Sequence, residues 1–282
     1  MNSADKNTGG DRYTVPALMR GLQLLTHFSR NERELTGAEL ARRLDAPRAS
    51  VFRLLHTLEQ LGFVERVGDA ATYRLGIAVL RLGFEYLSSL ELTEHGRPVL
   101  DTLRDATGYS AHLVVRDGAE VVFIAKAPGS QASFHSIQVG ARLPAHATVL
   151  GRATLSGLDL AALTAVFGNA PLKTFTPQTP ASLKKLKAMI DADHARGYGL
   201  SEGGYETGIS TVAAPVLNER GEVCAAVSIT VPAQQIEAAK LNSLAKHVRA
   251  AAAQLSQRIR HLPQNSDKNG GWPRSTEHKL AA

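Results

Sequence analysis

The stretch TGAELARRLDAPRASVFRLLHTLEQLGFV, residues 36–64, contains two short helical patterns that are separated by very few residues. Thr36 and Glu39 form a Ser/Thr-x-x-Glu capping box, which predicts that a first helix begins here. The pattern breaks at Asp45–Ala46. Pro47 then suits the first position of a second helix, because a missing backbone N–H costs nothing there. The sequence therefore predicts two helices joined by a tight turn.

The second helix is predicted to run to about Leu61, where Gly62 ends it. Its apolar residues recur at helical spacing, and we expect them to form one buried stripe: Val51, Leu54, Leu55, Leu58 and Leu61. A turn of about 100° per residue leaves the opposite side, with its basic and polar front end, facing outward. The first helix would then brace the second from behind.

Helical and strand patterns flank this pair. PALMRGLQLLTHFS, residues 16–29, predicts a helix with Pro16 in its first turn, and its apolar face is expected to contain Leu18, Leu22, Leu25 and Phe28. FVERV and TYRL predict a β-hairpin whose turn contains Gly68 and Asp69. Together these elements predict a winged helix-turn-helix over residues 13–76, with the motif itself at about 36–55. Such a module places its second helix in the DNA major groove.

The candidate DNA contacts lie at the start of the first helix, at the front and on the outward side of the second helix, and on the wing. They are Thr36, Arg48, Ala49, Ser50, Phe52, Arg53, His56, Arg66 and Arg74. An arginine in such a position reads a guanine or pairs with phosphate, and the sequence leaves that choice open. The alternative is an ordinary helical hairpin with exposed arginines. The net charge of +6 permits a polyanionic partner without proving one.

The rest of the chain mixes helices and strands. Residues 77–92 predict a linker helix that leads to a second domain at 93–262. That domain is predicted to contain strands at AHLVV, EVVFIA, ASFHSIQV, ISTVAAPVL and EVCAAVSITV, with a turn at Asp117–Gly118. Helices are predicted at HATVLGRATLSGL, at SLKKLKAMIDADHARG and over 235–262. The predicted fold class is therefore α+β.

Composition limits the setting in which the protein works. Residues 1–12 and 263–282 lack periodicity and are predicted to be disordered, and the last residues resemble a sequence added by cloning. Neither a signal peptide nor an apolar run of membrane-spanning length is visible. The single cysteine, Cys224, cannot form an internal disulfide and is expected in the core. We therefore expect a cytoplasmic protein with no membrane partner.

Catalytic and metal-binding patterns are weak. GLSEG, residues 199–203, matches the G-x-S-x-G nucleophile pattern, but that motif needs a strand before its serine and a helix after it. Here a helical pattern precedes Ser201 and a turn into a strand follows it. The ten histidines form no H-x-x-x-H pair, and no phosphate-binding glycine loop is present. We expect no enzyme activity, no cofactor and no metal.

Over about residues 14–262 the chain resembles the isocitrate-lyase-regulator (IclR) family of bacterial transcription factors. In the first domain the resemblance rests on ALMRGLQLL, LARRLDAPRASVFRLLHTLEQLGFVER and YRLG. In the second it rests on LVVRDGAEVVFIA, GARLPAHATVLGRATLS and ARGYGLSEGGYETGISTVAAPVLNERGEVCAAVSITVP. The resemblance implies a GAF-like α/β effector-binding domain with a pocket on one side of an antiparallel sheet. It also implies homodimers or tetramers on palindromic operators in double-stranded DNA.

The family's effectors are small organic acids, and its pocket can be carried over by motif position. The matching residues here are Ala147, Thr148, Val149, Leu150, Ser201, Thr211, Ser228 and Thr230. Ser228 and Thr230 are two residues apart, so they share one face of a strand independently of the resemblance. We add His135, together with His112 and Arg142, as cationic or hydrogen-bonding partners for an acid.

Two questions about function stay open at this stage. Members that bind very small acids carry an Asp and a Cys where this chain has Ser201 and Thr211, which argues against a glyoxylate-like effector. The run IQVGARLPAHATVLGR resembles the branch that regulates aromatic-acid catabolism. The expected function is thus a ligand-responsive repressor or activator of a catabolic operon. The alternative is an architectural or silencing DNA-binding protein whose second domain only oligomerises.

Overall fold

The computed structural model describes residues 13–29, 31–68, 71–89, 91–130, 137–232 and 236–260. The ends predicted to be disordered, 1–12 and 263–282, lie outside the described residues. The chain divides after Ser89 into two compact units, which are considered separately below. In the part of the chain that is described, no helix has the length and apolar character needed to cross a bilayer.

The first unit is a winged helix-turn-helix, as predicted. Its elements are α1 (Pro16–Thr26), β1 (Leu35–Thr36), α2 (Gly37–Arg43), α3 (Arg48–Gln60), β2 (Val64–Arg66), β3 (Thr72–Leu75) and α4 (Ala78–Ser89). The wing is a small antiparallel sheet in the order β1-β3-β2, so the two residues of β1 join the predicted hairpin. Side chains from the helices and the wing meet in one core that includes Leu24, Leu40, Val51, Leu55 and Tyr73.

The turn between α2 and α3 is short because one residue reverses the chain. Asp45 adopts a positive φ of 46°, which short polar side chains tolerate, and the amide of Ala46 then bonds to the carbonyl of Ala41 at 3.0 Å. Thr36 caps α2 as predicted, since its hydroxyl accepts from the Glu39 amide at 3.2 Å. Pro47 precedes α3 as its N-cap, so the prediction of a first helical position was one residue early.

Three leucines that we expected to be buried lie on the surface. Leu18 and Leu22 of α1 are 62% and 57% exposed, and Leu61 after α3 is 60% exposed. Helix α1 instead buries Leu24, on a neighbouring stripe, and Phe28 is buried just after the helix ends. An apolar helix offers more than one stripe, and packing against α3 selects one of them. Leu61 lies beyond the last turn of α3, where its side chain no longer follows the helical face.

The second unit is an α/β domain built on an antiparallel sheet. Its elements are α5 (Glu91–Thr107), β4 (Ser110–Asp117), β5 (Glu120–Ala127), β6 (Arg142–Pro144), α6 (Val149–Thr154), α7 (Leu160–Phe167), α8 (Leu183–Arg196), β7 (Gly199–Glu202), β8 (Ser210–Leu217), β9 (Val223–Val231) and α9 (Ala238–Arg260). The described strands are ordered β6-β5-β4-β9-β8-β7. Helices α5 and α9 pack on one face, and α6, α7 and α8 share a core with the other.

Local signals predicted most of these elements, but several differ, among them the edge strand β7, which was not predicted. The turn between β4 and β5 lies at Gly118, which has a φ of 58°, as expected. Most of ASFHSIQV, predicted as a strand, lies outside the described residues, and the strand beside β5 is instead β6. Helix α6 covers only six of the residues predicted as helical, and α7 was not predicted. Residues 78–89 of the predicted linker form α4 and α5 begins at Glu91, while residue 90 lies outside the described residues.

A buried ion pair fixes α6 to α8. The Arg152 guanidinium bonds to the Asp193 carboxylate at 2.7 Å and to the carbonyl of Leu200 at 2.7 Å. The side chains of Arg152 and Asp193 are only 2% and 9% exposed. Asp193 also pairs with Arg196. Because α6 is short, these bonds rather than helix length hold it against the sheet.

Asp193→Ala is expected to lower the free energy of unfolding by about 3–5 kcal/mol, because it leaves the Arg152 charge buried without its partner. The matched control is Asp191→Ala on the same helix, whose carboxylate pairs with Lys187 and is 59% exposed. That change should cost less than about 1 kcal/mol. Urea unfolding followed by circular dichroism measures both. Equal losses in the two variants would contradict the structural role of the buried pair.

Candidate nucleic-acid interface and effector cavity

The predicted DNA-contact residues of α3 face solvent. Arg48, Ala49, Phe52, Arg53 and His56 are exposed, and Phe52 keeps 58% of its surface open despite being apolar. Ser50, also predicted, is half-buried at the front of the helix. The opposite side of α3 is anchored by Val51 and Leu55, which are almost fully buried. The helix therefore presents its basic tip outward from a rigid base.

The wing arginines occupy a different environment from those of α3. Arg66 lies 3.7 Å from Glu59 and bonds to the Tyr73 hydroxyl, and Arg74 bonds to Glu65 at 3.0 Å. These pairs are largely exposed, so each stabilises the fold by about 1 kcal/mol or less and a phosphate can compete for the cation.

Arg48 and Arg53 form no ion pair within the described residues. The front of α3 therefore offers charges that need no rearrangement before they meet a duplex.

A cavity of about 110 Å³ lies in the second unit, between the sheet and α6. Its apolar walls are formed by Phe123, Ile137, Leu143, Val149, Leu150 and Ile209. Its polar lining includes Ser110, His112, Lys126, Thr148, Ser201, Tyr205, Glu206, Thr211 and Thr230. The mixture suits a ligand with one apolar body and a few polar groups.

Strand register aligns the polar residues in a row across the cavity face of the sheet. Thr230 on β9 lies opposite Ser110 on β4 and Thr211 on β8, and Thr211 lies opposite Ser201 on β7. Residues that are directly opposite in antiparallel strands share a face. Four neighbouring strands therefore contribute hydroxyl groups at the same level of the sheet.

A second row lies two residues further along each strand. His112 on β4 is opposite both Lys126 on β5 and Ser228 on β9. Ser228 is fully buried, and its hydroxyl has no hydrogen-bond partner within the described part of the chain. A buried polar group without a partner costs about 1–3 kcal/mol, so such groups usually have a functional or solvent partner.

Charge is distributed unevenly in this second row. Burial, reinforced by the positive charge of Lys126, lowers the pKa of His112 to about 4, so its imidazole is neutral near pH 7. Its Nδ1 lies 3.5 Å from the Thr230 hydroxyl, and its ring meets Phe123 edge to face. The Lys126 ammonium donates to the Gln138 side chain at 2.8 Å and to the Ile137 carbonyl at 3.3 Å. The cationic end of the row is therefore Lys126.

A loop tied down by hydroxyl groups forms another part of the cavity lining. The hydroxyls of Thr176 and Thr179 donate to the carbonyls of Gly203 and Gly204, each at 2.7 Å. The Ser201 hydroxyl accepts from the Gly204 amide at 3.1 Å. A Cβ at position 204 would lie too close to the Ser201 hydroxyl, so a larger residue there would displace that hydroxyl from its bond with the amide. These bonds hold the segment that carries Tyr205 and Glu206 at the cavity.

Each of the two units matches a known family of domains. Residues 17–68 match the IclR helix-turn-helix domain, and residues 84–257 match the family described as bacterial transcriptional regulator IclR, C-terminal. The second match alone covers more than half of the chain.

This chain belongs to the IclR family.

Individual IclR-family relatives extend over most of the chain. The Pca regulon regulatory protein of Pseudomonas putida is 33% identical over 233 residues, which are 82% of this chain and 79% of that protein. A solved transcriptional regulator of Rhodococcus sp. RHA1 is 34% identical, with a TM-score of 0.76, and the match covers 87% of this chain and 98% of that one. An IclR homologue of Microbacterium hydrocarbonoxydans, solved with 4-hydroxybenzoate, is 22% identical with a TM-score of 0.73 over 86% of this chain and 98% of that one, and shows the shared fold.

Membership in the IclR family makes this protein a helix-turn-helix transcriptional regulator, and the matched relatives are regulators rather than enzymes. The structure around GLSEG, residues 199–203, does not match the geometry of a catalytic serine. Ser201 lies in β7, and a turn into β8 follows it, so the strand–serine–helix order of a nucleophile elbow is not met. Burial raises the pKa of the Cys224 thiol to about 11, which makes it a poor nucleophile.

The structure places the predicted effector residues of this IclR-family chain unequally. Thr148, Val149, Leu150, Ser201, Thr211 and Thr230 line the cavity, as does His112. Ala147 is buried and Ser228 lies in the cavity-facing row, and neither reaches the cavity surface. His135 lies outside the described residues.

Arg142, which we proposed as a partner for the acid, does not line the cavity. Its exposed guanidinium bonds to Glu120 at 2.7 Å and to Asp117 at 2.6 Å, away from the cavity lining. The proposal was wrong because an exposed arginine on an edge strand is satisfied by the acidic residues of the neighbouring turn.

Sequence reasoning missed other cavity residues. Ser110 and Lys126 line the cavity, and so do Tyr205 and Glu206. The alternation along β4 gives a usable signal, since Ser110 shares a strand face with His112. No comparable signal identifies Lys126, because its position beside His112 depends on a register shift between Leu113 and Val114.

Proposed function

We propose that this IclR-family protein is a sequence-specific regulator of a catabolic operon and that a small organic acid is its effector. The observation that carries the proposal is the cavity in the second unit, where six residues selected by motif position converge: Thr148, Val149, Leu150, Ser201, Thr211 and Thr230. A unit that only oligomerises has no need for an internal cavity with a polar floor. The expected DNA partner is a palindromic operator on the bacterial chromosome, which places the protein in the cytoplasm.

The walls of the cavity favour an aromatic acid over a glyoxylate-like one. Phe123, Val149 and Leu150 provide apolar surface that a two-carbon acid cannot cover, while an aromatic ring buries its faces against such side chains. The polar row formed by Ser110, Thr230, Thr211 and Ser201 supplies hydrogen-bonding groups for the ligand's substituents.

The active form is proposed to be a homodimer or tetramer. Leu18 and Leu22 of α1 and Leu80 and Leu82 of α4 expose large apolar surfaces within the first unit, which a second copy can bury. Two copies present two recognition helices, whose spacing has to match half-sites about one helical turn apart. A monomeric mass in sedimentation equilibrium at micromolar concentration would rule this assembly out.

The effector would act by shifting a population between two arrangements of these helices. It can move that equilibrium only by the difference between its affinities for the two arrangements. At the DNA, Arg48 and Arg53 are proposed to make the primary contacts, together with Thr36, Ala49, Ser50, Phe52 and His56. Arg66 and Arg74 of the wing are proposed to contribute contacts that first exchange their acidic partners for phosphate.

Isothermal titration should distinguish the effector classes. We expect benzoate, 3-hydroxybenzoate or 4-hydroxybenzoate to bind with one site per chain, and glyoxylate and pyruvate to bind more weakly. A bound acid should also raise the melting temperature, because it binds only the folded chain. Leu150→Trp fills the cavity and should abolish binding, whereas Leu160→Trp, at an exposed position on α7, should not. If none of these acids binds, the architectural alternative is favoured. If only the short acids bind, the aromatic proposal is wrong.

Arg53→Ala is expected to weaken binding to a genomic DNA fragment selected by the wild-type chain by about 10- to 100-fold, since it removes a base or phosphate contact. Arg97→Ala on α5 removes the same charge from an exposed position in the second unit and serves as the control. Fluorescence anisotropy at fixed salt measures both variants, and acid binding should stay unchanged in each. Equal DNA affinities of the two variants would show that Arg53 does not contact the DNA.

A further inference from the structure

Phe52 is an apolar side chain on a basic and polar surface of the first unit. Helix α3 packs its other large apolar residues against the core: Val51, Leu54, Leu55 and Leu58. Within this helix, all of which is described, Phe52 is the one large apolar side chain that stays exposed, with 58% of its surface open to water. A single exposed apolar residue is common on protein surfaces, so exposure alone identifies no partner. The position of Phe52 on α3 has to decide which partner covers it.

The neighbours of Phe52 on α3 are those of a surface that meets DNA. Residues three or four apart are neighbours on a helix, so Phe52 lies beside Arg48, Ala49 and His56, all of which are exposed. Arg53 follows it in the sequence and is exposed as well. Ala49 is small, so Phe52 is the apolar side chain that extends furthest from this part of the helix. The ring therefore enters any DNA groove that the basic front of α3 enters.

One base in the major groove complements an apolar ring. Guanine, adenine and cytosine present hydrogen-bond donors or acceptors at their major-groove edges, whereas thymine adds a C5-methyl group to its acceptor. A phenyl ring has no hydrogen-bonding group, so covering a polar base edge with it removes water from atoms that gain no partner. Covering the thymine methyl group buries apolar surface on both molecules. The chemistry of the ring therefore favours thymine over the other three bases.

We propose that Phe52 is a specificity-determining residue of the first unit and that its ring contacts the C5-methyl group of a thymine in a half-site of the operator. The inference rests on the proposed function and adds to it the base that one side chain selects. Arg48 and Arg53 hold the helix in the groove through phosphate or guanine. The group that Phe52 selects is the methyl itself, so 5-methylcytosine at the same position offers the same contact.

A second copy of the chain is the other partner that could cover Phe52, and the charges around the ring oppose it. In a symmetric dimer centred on Phe52, the same surface of each copy meets its counterpart, so Arg48 and Arg53 of the two copies would approach one another. Like charges repel at such a contact, whereas the phosphates of DNA attract them. The charge complementarity of this surface therefore favours DNA.

The test removes one methyl group from the DNA and compares its effect in the presence and absence of the ring. The DNA is a genomic fragment selected by the wild-type chain and prepared as synthetic duplexes, in which deoxyuridine replaces one thymine of the protected sequence at a time. Fluorescence anisotropy at fixed salt measures each affinity. At the contacted thymine, the wild type should lose about 3- to 10-fold, the loss expected for one buried methyl contact. Phe52→Ala should bind both forms of that duplex equally.

Leu61→Ala is the matched control, because Leu61 is 60% exposed and lies just beyond the last turn of α3. It should respond to removal of the methyl group as the wild type does. Phe52→Leu keeps an apolar side chain and should retain part of the response. Replacing the contacted thymine–adenine pair with cytosine–guanine should weaken wild-type binding, and 5-methylcytosine at that position should restore part of the affinity. Unchanged circular dichroism spectra of the variants confirm folding.

The possible outcomes separate this inference from the proposed function. If the wild type binds the fragment selectively and every deoxyuridine replacement affects it and Phe52→Ala alike, the inference is wrong and the proposed function stands. If Phe52→Ala also lowers self-association in sedimentation equilibrium without DNA, the ring instead contacts a second copy. If the wild type retains no genomic fragment selectively, the proposed function fails as well. Loss of the methyl dependence in Phe52→Ala, but not in Leu61→Ala, supports the assignment.

Discussion

The antiparallel register of β5, β4 and β9 is the constraint on which the lining of the cavity in the second unit depends. It places Lys126, His112 and Ser228 in one row and the hydroxyls of Ser110 and Thr230 in the next. A shift of one residue in any of these pairings would turn the polar groups to the opposite face, which packs against α5 and α9. Register therefore decides whether this face of the sheet gives the cavity a polar lining.

Helix α6 completes the site because it is fixed from behind. The Arg152–Asp193 pair is buried, so its loss would cost several times more than that of the exposed pair between Lys187 and Asp191. Val149 and Leu150 face the cavity from the same short helix. The fold thus uses one buried ion pair to position apolar walls that a six-residue helix could not hold by itself.

The DNA-binding unit was predictable because its signals are local. The Thr36 cap, the break at Asp45 and the glycine after α3 each fix a boundary through the residue's own conformational preference. The error at Leu18 and Leu22 arose because α1 has two overlapping apolar stripes, and only packing against α3 selects the buried one. The joining of β1 to the wing depends on pairing over more than thirty residues, for which two residues of sequence give no signal.

The lining of the cavity was predictable only in part, for a related reason. Motif positions identified Thr148, Ser201 and Thr230, and alternation on β9 correctly placed Ser228 on the same face as Thr230. Lys126 reaches the row through an irregular register between β4 and β5, which no local pattern reveals. Arg142 looked suitable as an isolated cation, but acidic residues near the turn between β4 and β5 occupy it. Whether a cationic side chain reaches the cavity thus depends on partners that are distant in the sequence.

The central claim is that a ligand in the second unit controls DNA binding by the first. Its most direct test is the affinity of the wild-type chain for a selected genomic fragment, measured by fluorescence anisotropy with and without a saturating acid. The account predicts a change of about 5- to 150-fold in either direction, the usual range of coupling between two sites. An affinity that stays the same while calorimetry shows the acid bound would contradict it.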